Sequence, residues 1–317
     1  MPALFKRYWF LVALVAVFAL TLADRSETVS LIGRWLKGHN GPDIVVILIF
    51  IASGALLEIE QVKAGLKDVI GTTAALSVIF VIAPLTALAF APFPLPTGVL
   101  IGIFLVAVMP TTLSSGVVMT GAAGGNTAHA LFITILANTL AVFTIPIALS
   151  LLLPLIGGSA TVTIERWLIM VKLCRIVLLP LCGGVLIRFF ADGLCTRLAP
   201  MLQILNQCLI LVIVWMGISQ ARQAIIDGAN LIGGIIVLAF IFHSVLLAAT
   251  GGIARILRIG AGRRESLIFM GAQKTLPLSI ILQVALFPQY GQALVFCVVH
   301  HIVHLMMDGF LVGKLKH

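Results

Sequence analysis

Long, nearly uninterrupted apolar runs dominate this chain, and each is about as long as a membrane-spanning helix. Of the 317 residues, 61% are hydrophobic and only 10% are charged, whereas water-soluble domains are near half apolar and a quarter charged. A helix needs about 20 apolar residues to cross the hydrocarbon layer of a bilayer. The chain is therefore predicted to be an all-α polytopic membrane protein with ten transmembrane helices. The predicted spans cover residues 8–23, 43–58, 69–91, 98–121, 126–153, 167–190, 201–220, 230–254, 266–287 and 291–313.

The positive net charge of +9 does not indicate a nucleic-acid-binding protein. The basic residues are dispersed between the apolar runs and form no stripe on a soluble module. The five cysteines have no CxxC pair and no zinc-ligand spacing, which is typical of reduced thiols packed as small apolar side chains. We therefore expect no disulfide framework, no resident metal and no cofactor, and the lipid bilayer as the surrounding medium.

The lysines and arginines between the runs predict the orientation. If the N-terminus lies inside and the connections alternate, 12 basic residues lie inside, 5 outside and 3 within spans. Cytoplasmic loops of membrane proteins carry such an excess of basic residues. We expect a multi-pass protein of the cell (inner) membrane with both termini cytoplasmic. The first apolar run also resembles a signal peptide that would be cleaved after Ala23, and a retained first span is the favoured alternative.

The two halves of the chain repeat each other at an offset of 163 residues. This offset superposes four pairs of spans, and it aligns Thr112-Leu113 with Thr275-Leu276 and three glycines of the first half with three of the second. It predicts one five-helix repeat in residues 1–155 and another in residues 156–317. Because five is odd, the second repeat must enter the membrane from the opposite side. Inverted repeats are typical of secondary transporters, whose binding sites lie at the repeat interface near the membrane midplane.

The fourth and ninth predicted spans carry polar stretches at their centres, in residues 110–116 and 271–277. The stretches are equivalent under the repeat, and each combines a proline, which removes a backbone donor, with a glycine, which loosens a helix. A proline kink would explain one such stretch. For two equivalent stretches we favour discontinuous helices that form a binding site, in which the two serines, Gln273 and Thr275 line one cavity. The candidate residues are Thr111, Thr112, Ser114, Ser115, Gln273 and Thr275.

Lys274 lies about eight residues inside the ninth span, too deep to reach a membrane surface easily. A cation in mid-membrane costs about 2.5–3.5 kcal/mol on insertion scales. One explanation is a structural ion pair, for which Asp308 is the obvious acidic partner within the spans. The favoured explanation is a fixed cation in a water-accessible site. Such a cation would either face an anionic substrate or take the place of a bound cation.

The tenth span contains several ionisable side chains: His300, His301, His304 and Asp308. The first, third and fourth of these are spaced by four residues and share one helix face. Such a face could ligate a metal or relay protons, although no HExxH motif accompanies it. Packing and hydrogen bonds near Lys274 are the favoured interpretation, and a proton relay through His301, His304 and Asp308 is the alternative.

In these residues the chain resembles the bile acid:sodium symporter superfamily, in its divergent SBF-like branch. The resemblance extends over nearly the whole length and is strongest in residues 109–120, in Gly124-Gly125-Asn126 and in residues 271–277. It implies a core domain made of spans 3–5 and 8–10 and a panel domain made of spans 1, 2, 6 and 7. It also implies that spans 4 and 9 are unwound and cross each other.

The chain departs from the sodium-coupled pattern of that family in the ninth span. The resemblance implies a glutamate shortly before Gln273 and an asparagine after it, where this chain has Phe269 and Lys274. Thr134 and Gln273 remain as candidates for an ion site, and Asn138 lies one turn beyond Thr134. Loss of a carboxylate and gain of an ammonium group would repel sodium. The sequence therefore argues against sodium dependence and leaves the coupling ion, sodium or proton, open.

Three functions are compatible with these residues. The favoured one is secondary transport of a small organic anion, by uniport, exchange or coupling to an ion. The second is a non-transporting membrane regulator of ion homeostasis, a role that the resemblance suggests. The third is an intramembrane metalloenzyme that uses the face formed by His300, His304 and Asp308. Apart from that third alternative, the sequence indicates no catalytic residue.

Overall fold

All regular structure is helical in the part of the chain that the computed structural model describes, residues 2–57, 68–112, 115–156 and 165–315. The apolar runs form helices because a backbone in hydrocarbon must pair its N–H and C=O groups within its own segment. In chain order the helices are α1 (Pro2–Ala23), α2 (Thr28–Gly38), α3 (Gly41–Ala55), α4 (Val69–Leu88), α5 (Thr97–Val108), α6 (Ser115–Ala122), α7 (Thr127–Leu152), α8 (Arg166–Phe190), α9 (Asp192–Asp227), α10 (Ile232–Ile256), α11 (Arg263–Ala272), α12 (Leu276–Leu286) and α13 (Gly291–Leu315).

Among the described residues, seven helical segments are long and apolar enough to cross a membrane: α4, α7, α8, α9, α10, α11 with α12, and α13. An eighth is added if α2 and α3, which meet at 75°, form one span. Helix α5 has only 12 residues, fewer than the usual 20, whereas α1 has 22 residues. The chain is a multi-pass membrane protein, and the part that the structure describes has seven or eight candidate spans by length and composition. The ten predicted spans stay a prediction.

Helix α2 occupies a stretch that the hydropathy windows predict as a connection. It buries Ser30 and Gly33 and leaves Leu31, Ile32 and Trp35 exposed. Hydropathy windows miss it because polar and apolar positions are mixed within its 11 residues. A short amphipathic helix with an exposed tryptophan is suited to the boundary between lipid and water.

The segment formed by α11 and α12 lies in the interior of the helix bundle. Every residue of its most apolar 18-residue window is buried, although that window has a mean hydropathy of only 1.4. Helices α4, α6, α7 and α10 pack against α11, and α13 packs against α5, α9, α10 and α12. The polar groups of the ninth predicted span therefore face protein and not lipid.

An ion pair joins α4 to α11 at one end of the bundle. Asp68 caps α4 by accepting a hydrogen bond from the amide of Gly71 at 2.9 Å, and the Arg263 guanidinium donates to both of its carboxylate oxygens. Burial alone would raise the pKa of the Asp68 carboxyl, but the hydrogen bonds from Arg263 and Gly71 hold that pKa below its usual value. His129 of α7 lies within hydrogen-bond distance of one hydroxyl on α4 and another on α11. Three helices are thus fixed together at this end.

Two glycines allow α3 and α8 to pack closely. A Cβ atom on Gly184 would collide with the carbonyl oxygen of Ile51 and lie 2.8 Å from the Cα atom of Gly54. A Cβ atom on Gly54 would collide with the carbonyl oxygen of Leu181. Small residues let helix backbones approach each other, which is a main source of helix association in membranes.

Replacement of Gly184 by alanine should push α3 and α8 apart and destabilise the protein by about 1–3 kcal/mol, the usual effect of overpacking. Gly183 is the matched control, because a Cβ atom there would have no neighbour within 4 Å. Thermal unfolding in detergent should show a lower midpoint for Gly184→Ala than for Gly183→Ala. Equal midpoints for the two variants would contradict the close-packing role of Gly184.

Candidate functional site

Helices α5 and α11 both end in the middle of a predicted span, and an extended segment follows each of them. The first break comprises Met109–Thr112, ahead of α6, and the second comprises Gln273–Thr275, ahead of α12. The two breaks touch, since the amide of Thr275 donates a hydrogen bond to the carbonyl oxygen of Pro110 at 2.9 Å. These seven residues are termed the paired breaks.

Prolines account for the position of both breaks. Pro110 lacks the N–H group that would continue α5, and Met109 before it is extended (φ −70°, ψ 146°), as a residue that precedes proline prefers. Pro277 lies in the first turn of α12, where a missing N–H group is tolerated. Thr275, just before α12, is likewise extended (φ −75°, ψ 133°). The local sequence therefore determines where both helices are interrupted.

The Lys274 ammonium group is buried at the second break and is bound by backbone carbonyl oxygens. Its Nζ atom lies 2.9 Å from the carbonyl oxygen of Ile79, 3.0 Å from that of Ala107 and 3.0 Å from that of Met109. A lysine ammonium has three N–H donors, and each of them has an acceptor here. Asp308 is not its partner, because that carboxylate is bonded to other side chains. The structure therefore replaces the ion-pair explanation with a cage of carbonyl groups.

These carbonyl groups are available because their own helices cannot supply a donor. Ile79 lies in the π-helical turn Val78–Ile82 of α4, where the amide of Ala83 bonds to the carbonyl five residues before it. The next donor in that register would be Pro84, which has no N–H group. The other two carbonyls lie at the end of α5, where the last carbonyls of a helix lack partners. The negative end of the helix dipole also favours a cation at that point.

Gln273 links the two breaks to α13 through its side-chain amide. Its Oε1 atom accepts hydrogen bonds from the hydroxyl groups of Thr112 at 2.6 Å and Ser115 at 3.1 Å. Its Nε2 atom donates to the Oδ2 atom of Asp308 at 2.7 Å. Because the side chain is fully buried, these bonds replace its contacts with water. The amide therefore connects the hydroxyl groups of the first break to a buried carboxylate.

Asp308 lies in a group of buried histidines. Its Oδ1 atom is 2.9 Å from Nε2 of His243 on α10, and its Oδ2 atom is 3.7 Å from Nδ1 of His304. The Nε2 atom of His304 is 2.8 Å from Nδ1 of His301. All four side chains are at most 5% exposed. The three residues of the predicted relay thus lie together, and His243 extends the group.

The remaining predicted residues are placed differently. Thr111 lies in the first break, and its buried hydroxyl group has no hydrogen-bond partner. Thr134 donates its hydroxyl hydrogen to the carbonyl oxygen of Ala130 one turn before it, so this hydrogen is directed along its own helix. Thr275 contributes the backbone bond between the breaks. Ser114 lies outside the described residues.

Asn138 and His243 contact the site but were not included in the predicted site residues. The Nδ2 atom of Asn138 donates to the carbonyl oxygen of Thr111 at 3.3 Å, and its buried Oδ1 atom has no partner. The sequence does mark both residues as candidates, because each is a polar side chain within an apolar span. Hydropathy cannot show which neighbouring helix such a side chain faces.

The paired breaks are in direct contact in this structure through the hydrogen bond from Thr275 to Pro110. A cavity of about 660 Å³ lies between the end of α4 and α10, with a mainly apolar lining that includes Phe90 and Phe93 and no residue of the paired breaks. In the described residues, no group of three or more histidine, cysteine or acidic side chains has an arrangement that could hold a metal ion. Five predicted site residues have at most 5% of their surface exposed: Thr111, Thr112, Gln273, Lys274 and Thr275.

Comparison with known proteins gives the family. Residues 8–317 match the SBF-like CPA transporter family. The chain belongs to this family. The resemblance stated from the sequence is therefore confirmed. This is a family of transporters and not of enzymes, and relatives of the chain are named as cotransporters. The metalloenzyme alternative is therefore set aside.

Relatives of this SBF-like protein come from plants, animals and bacteria. The Arabidopsis thaliana protein "Probable sodium/metabolite cotransporter BASS4, chloroplastic" is 28% identical over 280 residues, which cover 84% of this chain and 64% of that relative. The chain thus spans less than two thirds of that relative's length. The Xenopus laevis protein "Sodium/bile acid cotransporter 7-A" is 24% identical over 331 residues, which cover 98% of this chain and 92% of that relative. The Pseudomonas aeruginosa "Uncharacterized protein PA2026" is 25% identical over 319 residues, which cover 96% of this chain and 92% of that relative.

Gln273→Glu should destabilise the protein at pH 8 by about 3–5 kcal/mol, as expected for an uncompensated buried charge. The new carboxylate would lie at hydrogen-bond distance from Asp308, and two such groups cannot both ionise readily. At pH 5 the pair can share a proton, so the loss of stability should be smaller. Thermal unfolding at both pH values measures the effect.

The matched control for this substitution is the double variant Gln273→Glu/Asp308→Asn. The asparagine amide can donate to the new glutamate, so the double variant should recover most of the lost stability. A double variant as unstable as Gln273→Glu would show that the two side chains do not interact as described.

Proposed function

We propose that this chain is a secondary transporter of a small organic anion, in which the Lys274 ammonium takes the place of a bound cation. Transport would then not require sodium. The observation that carries this proposal is the set of three hydrogen bonds from Nζ to carbonyl oxygens of α4, of α5 and of the first break. In transporters with discontinuous helices, unwound backbone carbonyls coordinate sodium. An ammonium group held by such carbonyls brings the same single positive charge.

The hydrogen bonds favour one of the two roles considered for Lys274. All three donors are used within the protein, so none remains for direct contact with a substrate in this conformation. A fixed cation that holds the breaks together fits this geometry better than a direct substrate ligand. Its positive charge would still attract an anion bound nearby, because charges interact strongly in a low-dielectric interior.

The substrate site is proposed at the paired breaks. Helices α6 and α12 both begin there, and the N-terminus of a helix favours an anion. The unpartnered hydroxyl group of Thr111 and the half-buried hydroxyl group of Ser115 could donate hydrogen bonds to an anion once the breaks open. The relatives named for bile acid or metabolite cotransport support a small-molecule substrate. Because the Lys274 ammonium replaces the bound cation, a coupling ion would be a proton and not sodium.

The spacing of the helices supports ten spans in two inverted repeats. Helices α4 and α10 begin 163 residues apart, at Val69 and Ile232, and α7 and α13 begin at Thr127 and Gly291. The two breaks fall at equivalent positions of the repeat. We propose that residues 1–155 and 156–317 are the repeats. The core domain would contain α4–α7 and α10–α13, and the panel domain α1, α3, α8 and α9, among which α3 packs closely against α8 and α9.

Cysteine labelling should show that positions 38 and 260 lie on opposite sides of the cell membrane, with 260 cytoplasmic like both termini. Gly38 and Gly260 have open space around them, so Gly38→Cys and Gly260→Cys should fold in a background without the five native cysteines. The expected orientation follows from the excess of lysine and arginine in the connections predicted to be cytoplasmic. A membrane-impermeant maleimide applied to intact cells should label only position 38. Labelling of both positions from the same side would contradict ten spans.

The wild-type protein in liposomes should take up an anion equally well in sodium, potassium or choline medium. The measurement uses radiolabelled monocarboxylates, dicarboxylates and taurocholate as probes. Lys274→Ala should reduce uptake at least tenfold in choline medium, because three buried carbonyls lose their donor, each at about 1–3 kcal/mol. Sodium or methylammonium should restore part of the uptake to this variant alone by occupying the vacated carbonyl cage.

Lys172→Ala is the matched control, because Lys172 is half-buried and paired with Asp43 at 3.2 Å. It should keep wild-type uptake in all three media. Wild-type uptake that demands sodium would contradict the fixed-cation role of Lys274. No uptake of any probe by the folded wild-type protein would contradict transport and favour the non-transporting regulator.

A further inference from the structure

Asp308 is a buried carboxylate that takes no part in binding the Lys274 ammonium group. From its contacts we infer that Asp308 binds a proton and that Gln273 transmits its ionisation to the hydroxyl groups of the first break. The inference deepens the proposed function, since it would make the proton the coupling ion of anion transport. It rests on three hydrogen bonds in series: Thr112 donates to Gln273, Gln273 donates to Asp308, and Asp308 is paired with Nε2 of His243.

The groups that face Asp308 are few. His243 from α10 and His304 from α13 face it directly, and His300 and His301 lie beside His304 with ring centroids 5.4 Å and 4.6 Å away. Lys274 is the charged group of the second break and is the chain neighbour of Gln273.

Helix α11 also packs against α13 through Phe269, and its charged residues Arg263, Arg264 and Glu265 lie in its first turn. In the part of the chain described, α5, α6 and α12 carry no ionisable side chain. Apart from the exposed Cys208, the ionisable residues of α9 lie within 192–197 and 222–227, near its two ends. A change of charge at Asp308 is therefore compensated mainly by histidines and by the amide of Gln273.

The amide of Gln273 can respond because its two ends have opposite hydrogen-bond character. While Asp308 is ionised it only accepts, so the Nε2 atom of Gln273 is held toward it and the Oε1 atom takes the hydrogens of Thr112 and Ser115. When Asp308 binds a proton it gains an O–H donor. The amide can then turn its oxygen to Asp308 and its NH₂ group to the hydroxyl oxygens. Both hydroxyl hydrogens become available to an anion.

The charge balance favours binding of the proton and the anion together. One proton on Asp308 raises the charge of the site by one unit, and one monovalent anion at the break lowers it again. In a low-dielectric interior the two charges stabilise each other strongly. The bonded pair His301 and His304 offers a route for the proton. His304 is the nearer of the two, with an unpartnered Nδ1 atom 3.7 Å from the carboxylate.

Infrared pH titration of the purified full-length protein tests this inference without any substrate. Acidification should produce the C=O band of a protonated carboxyl group that Asp308→Asn lacks and that the control Asp227→Asn keeps. If Asp308→Asn does not fold, Asp308→Glu keeps a carboxyl group in a changed setting and should shift the band. Spectra of wild type and Asp308→Asn that agree at every pH at which both are folded would overturn proton binding. In that case Asp308 is a permanently ionised partner of His243.

Transmission through Gln273 is tested with two threonines of similar burial. Thr112→Val removes a donor to Gln273 and should move the midpoint of the Asp308 band by about 0.5–1 pH unit, the coupling typical of one hydrogen-bond network. Thr120→Val is the control, because the Thr120 hydroxyl donates to the carbonyl oxygen of Gly116 and not to Gln273. Equal midpoints for both variants would overturn the transmission. Because no transported substrate is present, these outcomes are independent of whether anion uptake is observed.

Discussion

The need to pair every buried carbonyl group at the two helix breaks is the constraint on which the interior of this protein depends. Helices interrupted within a membrane expose backbone groups that water cannot reach. Proline residues create the interruptions, and a π-helical turn frees one more carbonyl on α4. The ammonium group of Lys274 then serves three of these carbonyls at once. One side chain thereby joins α4, α5 and the second break.

The two breaks carry different residues at positions that the predicted repeat makes equivalent. Under the offset of 163 residues, Lys274 corresponds to Thr111, and Gln273 corresponds to Pro110. One break therefore provides a cation and an amide, while the other provides carbonyl and hydroxyl groups. These sets are chemically complementary, as the bond from Thr275 to Pro110 and the bonds of Gln273 illustrate. Each break is therefore a hydrogen-bond partner of the other.

A carboxylate is present near the breaks although the ninth span has Phe269 where the resemblance implies a glutamate. It comes from Asp308 on α13, whose neighbours are His243 and Gln273. Its charge lies on the opposite side of the Gln273 amide from the hydroxyl groups of the first break. The cation and the carboxylate are thus held apart by neutral polar groups, and each has its own partners. This separation allows one to be fixed while the other titrates.

The helical class, the positions of both breaks and the identity of the buried cation could be predicted from the amino-acid sequence. These follow from local causes: the length of the apolar runs, prolines that remove N–H donors, and a lysine too deep to reach water. The partners of the polar groups became known from the three-dimensional structure. The carbonyl cage of Lys274, the bond between Asn138 and Thr111, and the pairing of Asp308 with His243 join residues far apart in the chain. Such pairings depend on how the helices rotate and pack against each other, and hydropathy carries no information about that rotation.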